Sequence, residues 1–220
     1  MLPLILTLAL NGSAPVTPAD GTYTYSSSLS GQKLGTTTLT VKHSATGLSV
    51  EESASATIAG QAVAATTTQV VNSQLTPTSY DANYNNAGQK LHAALSFANG
   101  SAKQTSDVAQ LSNKSYDLTA NAKGFVIIDG ALVGGFFLLP AQMAQVSGGP
   151  VIGIAPVYGQ AFPISADTTA KPARPAAVPA TDVSLSVGSP VPFTEWYDPK
   201  TMLFDELDVP SQNIIITRTR

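Results

Sequence analysis

Between residues 21 and 105 apolar and polar positions alternate with a period of two, and turn residues interrupt the alternation at intervals of about ten to twelve residues. Leu48 and Val50 share one parity, as do Leu91, Ala93, Leu95 and Phe97. In an extended chain residues two apart face the same side, so each series marks one face of a strand. The interruptions fall at Ser30-Gly31-Gln32, Ala45-Thr46-Gly47, Ala59-Gly60-Gln61, Asn85-Asn86-Ala87-Gly88 and Asn99-Gly100. Thr22-Tyr23-Thr24-Tyr25 and the β-branched run from Thr36 to Val41 supply strand formers between them. The pattern predicts about six consecutive antiparallel strands. Their second face is mostly Ser, Thr, Gln and Asn, which suits a sheet open to water or curved around something else.

The style changes at residues 124–130, Gly-Phe-Val-Ile-Ile-Asp-Gly, which lead into Ala131–Gln145, the most apolar stretch after residue 20. That stretch is too short and too interrupted by glycine to span a bilayer, and predicts a short helix packed on the sheet, kinked or divided at Pro140. A hairpin is expected next, from Gly149–Tyr158 and Ala161–Ser165 with Gly159-Gln160 at its turn. Spaced prolines make 168–181 an extended Pro/Ala-rich loop. Four strand-like segments close the chain: Val183–Val187, Phe193–Tyr197, Leu203–Leu207 and Asn213–Thr219. The run Ile214-Ile215-Ile216 suits a strand buried on both faces or one at the seam where the sheet curls, rather than an exposed edge.

The fold expected is therefore mainly β: one large curved antiparallel sheet, an open or half-closed barrel, with a short helix around 131–145 packed on it. Composition agrees, since only 11% of the 220 residues are charged against 43% hydrophobic. A single domain over 20–220 is expected, because all-β domains of about 200 residues often remain one unit. The net charge of -3 offers no field for a phosphate backbone, so nucleic acid is not an expected partner. With no cysteine, disulfides and thiolate chemistry are excluded. The apolar run Leu2–Leu10, followed by Asn11-Gly12-Ser13-Ala14, resembles a secretory signal over 1–19, although no Lys or Arg precedes it. The expected location is periplasmic or secreted.

Candidate chemistry is sparse. His43 and His92 sit in predicted strands without catalytic or metal-binding spacing and are read as surface or structural residues. Nucleophile-elbow, phosphate-loop and H-E-x-x-H motifs are absent, so no catalytic residue, metal or cofactor is expected and the chain is read as non-enzymatic. Glu51 and Glu52 point to opposite faces of one strand and form no shared acid/base site. Asp205, Glu206 and Asp208 read as a solvated strand end. Trp196, the only tryptophan, has Phe193, Tyr197 and Phe204 nearby in sequence. It serves either as a buried anchor or, with Phe136, Phe137 and Met143, as the lining of an apolar cavity.

Three stretches carry a resemblance: Ile128-Asp129-Gly130 leading into Phe137-Leu138-Leu139-Pro140, the turn Pro156-Val157-Tyr158-Gly159, and Glu195-Trp196-Tyr197-Asp198 through Asp208-Val209-Pro210-Ser211-Gln212. Their order is similar to exported bacterial proteins in which a meandering sheet curls around a helix. These include uncharacterised families, in texture the nearest, and more distantly the lipoprotein-carrier and mycobacterial lipid-transfer types. The resemblance implies a concave apolar face that holds acyl chains, without the lipidated cysteine of anchored relatives. The expected function is binding of a lipid or other apolar small molecule between sheet and helix, with Phe136, Phe137, Met143 and Trp196 as ligand-binding residues. The alternative is a structural or interaction protein of the cell envelope with a packed core, no ligand and a protein partner.

Overall fold

The computed structural model describes residues 15–118, 124–129, 133–146, 151–167, 169–188 and 191–219. Most of the leader expected over 1–19 lies outside them. A meander runs through β1 (Gly21–Leu29), β2 (Gln32–Ser44), β3 (Gly47–Ile58), β4 (Gln61–Asn72), β5 (Pro77–Asn86), β6 (Gln89–Ala98), β7 (Ser101–Ser106) and the short β8 (Ser115–Asp117). The insert that follows contains β9 (Phe125–Ile127), α1 (Val133–Ala144), β10 (Val151–Ala155) and β11 (Gln160–Ile164). Four strands complete the chain: β12 (Val183–Val187), β13 (Phe193–Tyr197), β14 (Phe204–Val209) and β15 (Ile214–Thr219).

Twelve strands form one antiparallel sheet in the order β12-β13-β14-β15-β1-β2-β3-β4-β5-β6-β7-β8. β12 and β8 stand at its two ends, so the sheet is open rather than closed on itself. Register shifts at Ser27/Ser28, Val70/Val71 and Trp196/Tyr197 add local twist and bend. The first and last strands of the sequence are neighbours, with Thr24 opposite Thr219 and Leu29 opposite Ile214. The isoleucine run therefore lies at the seam between the two halves. It is not buried on both faces: Ile216 is buried, whereas Ile215 is 38% exposed.

The other three strands form a small sheet in the order β11-β10-β9, in which β9 and β10 are parallel. Parallel neighbours cannot be joined by a tight turn and need a crossover. The apolar helix is that crossover, which is why it is flanked by strand signals on both sides. It is one element with Pro140 inside it, and ten of its twelve residues are buried. A helix hydrophobic on every side is stable only when it is covered on every side. Gly135 permits the closest approach: a Cβ there would stand 2.3 Å from the Ile127 carbonyl oxygen.

The main core fills the concave side of the large sheet around α1. Tyr25 stacks on Phe204 at 4.4 Å between ring centroids and meets Phe137 edge-on at 6.3 Å, while Tyr23 lies 5.5 Å from Phe137. Such pairs add about 0.5–1.5 kcal/mol each beyond the area they bury. A second cluster joins Tyr80, Leu95 and Tyr116 of the large sheet to Ile127 and Ile154 of the small one.

Candidate ligand-binding site

Where α1 lies on β2–β4 of the large sheet the packing is close. Phe137, Leu138, Leu139 and Ala141 are each 0% exposed. Beneath the first turn of the helix lies Glu52, whose Oε1 accepts from Val133 N at 2.9 Å and whose Oε2 accepts from Gly134 N at 3.0 Å and Thr67 Oγ1 at 3.4 Å. A carboxylate at a helix N-terminus satisfies otherwise orphaned amides and interacts well with the helix dipole. Burial nevertheless outweighs these bonds and pushes the Glu52 carboxyl up to about 7. Gln142, near the other end of α1, donates from Nε2 to the Leu75 carbonyl at 2.9 Å.

A second set of polar side chains fixes the turn between β10 and β11. Asp129, 3% exposed, accepts at Oδ2 from Tyr80 at 2.5 Å and Tyr84 at 2.8 Å, and at Oδ1 from Val157 N at 3.1 Å. Burial raises its carboxyl above the ordinary range against the pull of those three donors. Gln104 Nε2 donates to the Pro156 carbonyl at 2.9 Å, its Oε1 accepts from Tyr116, and Lys114 Nζ donates to the Gly159 carbonyl at 2.8 Å.

That turn, Pro156–Tyr158, is a 3-10 turn preceded by Ala155 (φ -114°, ψ 88°) and closed by Gly159 in the left-handed region. The turn between β14 and β15 repeats it: Pro210–Gln212 follows Val209 (φ -117°, ψ 83°) and ends on Asn213, also left-handed. Proline sets the first φ, and Gly and Asn tolerate the last. The two turns frame one cavity of about 400 Å³. One side is Ala155, Tyr158 and Gln160, the other Val209 and Gln212, and Val191 borders it next to β13. Its apolar wall is made by Ile128, Phe136, Phe162, Ile164 and Phe193. Phe136 meets Phe193 edge-on at 5.3 Å, so helix and large sheet touch at this wall. Among the described residues, none that lines it is charged. The size falls within the range of small-molecule sites, which are mostly apolar with a few polar groups.

Of the four ring and thioether positions expected to line such a space, only Phe136 does. Phe137 is enclosed by Tyr23 and Tyr25, and Met143 is half-buried against the main core. Trp196 is buried but has the opposite parity to Phe193 and Glu195 in β13, so it faces the other side of the sheet. There the Arg174 guanidinium from the Pro-rich segment sits 4.8 Å over its ring and donates to the carbonyls of Pro179 and Asp182.

The acidic residues of β14 are not a solvated strand end. β14 lies between β13 and β15, and Asp205 and Glu206 are 8% and 7% exposed. Asp205 pairs with Arg218 at 2.6 Å, and Glu206 stands opposite Trp196. On the inner face Glu195 is fully buried between Leu185 and Leu207, and neither carboxylate oxygen has a hydrogen-bond partner among the described residues. Burial pushes its carboxyl well above the ordinary range.

Both histidines are surface residues in strands. His92 Nε2 lies 2.8 Å from Asp81 Oδ2. His43 has Asp20 at Nδ1, 2.5 Å away, and Thr17 Oγ1 at Nε2, 3.0 Å away. This hydroxyl–imidazole–carboxylate row is exposed, and none of its three residues lines the cavity. Hydrogen bonds from His43 hold the Asp20 carboxyl below its usual range. Among the described residues no group of three His, Cys, Asp or Glu side chains is placed to hold a metal, and no helix is long and apolar enough to cross a membrane.

Fold and cavity together define an open, curved, β-barrel-like sheet protein with a strand–helix–strand insert on its concave side. A crystal structure of a beta-barrel-like protein of a domain of unknown function, DUF1849, from Brucella abortus is similar to it, with a TM-score of 0.54 and 9% identity over 93% of this chain and 96% of that one. At that identity the likeness is one of fold. No family model and no curated protein matches the sequence.

Proposed function

We propose that the chain is a non-enzymatic exported protein, periplasmic or secreted, that binds an apolar small molecule such as a lipid. The binding place is the cavity between the small sheet, Phe136 of α1, and β13–β14. The observation that carries this reading is the 400 Å³ uncharged space with a buried apolar wall and an open mouth where Tyr158 is 57% and Val191 37% exposed. A protein with no use for the space would lose stability by leaving it unfilled. The signal-like run Leu2–Leu10 supports export, and the similarity to carrier-type curved-sheet proteins supports an acyl ligand.

The test is native mass spectrometry of protein purified gently from an envelope fraction, followed by organic extraction, alongside titration with a fluorescent acyl probe. Extractable lipid or probe binding that is lost in Val191→Trp, which blocks the mouth from an exposed position, is the expected outcome. Protein that carries no lipid and binds no probe overturns the reading. A second reading, an envelope interaction protein, draws on the closely packed helix–sheet interface at β2–β4 and on the Ser- and Thr-rich outer face, where Ser53, Ser55, Thr57, Thr66 and Thr68 are exposed. It predicts an added protein mass in the same spectrum and no bound lipid.

A further inference from the structure

We propose that the cavity selects a ligand with an uncharged hydrogen-bonding head, an alcohol, ester or primary amide on an apolar body, over one with an ionised head. The inference rests on the ligand-binding reading above and names the chemistry of its ligand. The cavity is graded along its depth. At its base Ile128, Phe136, Ile164 and Phe193 are between 1% and 8% exposed, whereas its polar groups, Tyr158, Gln160 and Gln212, are all exposed at the mouth. An amphiphile therefore enters body first and leaves its head between the two Pro-initiated turns.

The polar groups that meet this head are two carboxamides and a phenol, each both donor and acceptor. They complement a hydroxyl, ester or amide and supply no counter-charge. The charged groups bonded to the mouth turn are already engaged. Lys114 Nζ donates to the Gly159 carbonyl, and Asp129 receives Tyr80, Tyr84 and the Val157 amide. An ionised head must give up part of its hydration at a rim whose described lining side chains carry no charge, the Lys114 ammonium being turned to the Gly159 carbonyl, and an anion also meets a net charge of -3.

The experiment displaces a pyrene-labelled fatty alcohol from the full-length protein with four competitors of equal chain length: dodecanol, dodecanamide, dodecanoate and dodecylammonium, at pH 8. The expected result is half-displacement by the alcohol and amide at roughly tenfold lower concentration than by either ion. Gln160→Leu with Gln212→Leu, both at exposed positions, is expected to reduce that ratio to about one while the pyrene probe still binds. Dodecanoate competing as well as or better than dodecanol overturns the inference and leaves the cavity reading standing. Loss of dodecanoate binding in Lys114→Met then identifies the ammonium that holds it. A pyrene probe that does not bind at all overturns the cavity reading itself.

Discussion

The two sides of α1 solve the same packing problem differently. Toward β1–β4 the packing is close: Phe137 and Leu138 have no exposed surface, and Glu52 fits against the first helical turn so closely that a Cβ on Gly134 would stand 2.7 Å from its Oε2. Toward β10, β11, β13 and β14 the helix offers Phe136 to a cavity of about 400 Å³. On the filled side the helix lies on one continuous sheet and side chains can interdigitate. On the open side the small sheet and β13–β14 leave a gap between the Pro156 and Pro210 turns. Changes on the first side should act on stability, and changes on the second on binding.

The largest effect is expected from Phe137→Ala, which removes a fully buried ring from contact with Tyr23 and Tyr25. A loss of about 3–5 kcal/mol in urea unfolding is expected. Glu52→Ala leaves the buried amides of Val133 and Gly134 unbonded and should cost about 2–4 kcal/mol by the same measurement.

The pH dependence of Glu52 tests its protonation. Its folded carboxyl is raised from 4.5 to about 7, so the folded state holds the proton more tightly than the unfolded chain. Its contribution to stability is therefore fully present below about 4.5 and falls as pH rises to about 7, a change of about 1–3 kcal/mol. Unfolding midpoints of the wild type and Glu52→Gln measured across that window should agree most closely at the low end, where both side chains are neutral, and separate toward the high end as the wild type loses stability. Parallel curves would mean that the bonds from Val133, Gly134 and Thr67 keep Glu52 ionised throughout. Smallest in stability is Val191→Trp, expected to shift unfolding by less than about 0.5 kcal/mol because the position is exposed. It should nevertheless abolish probe binding, and a variant that unfolds early without losing the probe would erase the distinction between the two sides.

Strand positions were legible because alternation and turn chemistry are local, and the four C-terminal segments fall within two residues of their predicted bounds. Parity also held information that went unused. Glu52 shares the parity of Leu48 and Val50, which marks it as an inward carboxylate needing partners, and Trp196 is out of phase with Phe193. The parallel pairing of β9 with β10 follows from the strand–helix–strand order once the apolar helix is read as a crossover. The cavity itself had no such signal. It depends on bringing the Pro156 and Pro210 turns together, and their similarity is visible in sequence only as a shared Pro-x-x form followed by Gly or Asn. The bonds of Asp129 to Tyr80 and Tyr84 span more than forty residues, and nothing local encodes them.

The pairing of β1 with β15 has a temporal consequence. Tyr25 and Phe204 are separated by 179 residues, so the β1 end of the meander waits for β14 and β15, whereas α1 covers Glu52 earlier in the order of synthesis. Contacts of such long sequence separation form slowly, because loop-closure entropy is lost before any contact is gained. The pairing of β1 with β15 is thus expected to form late, after the insert has packed on the meander.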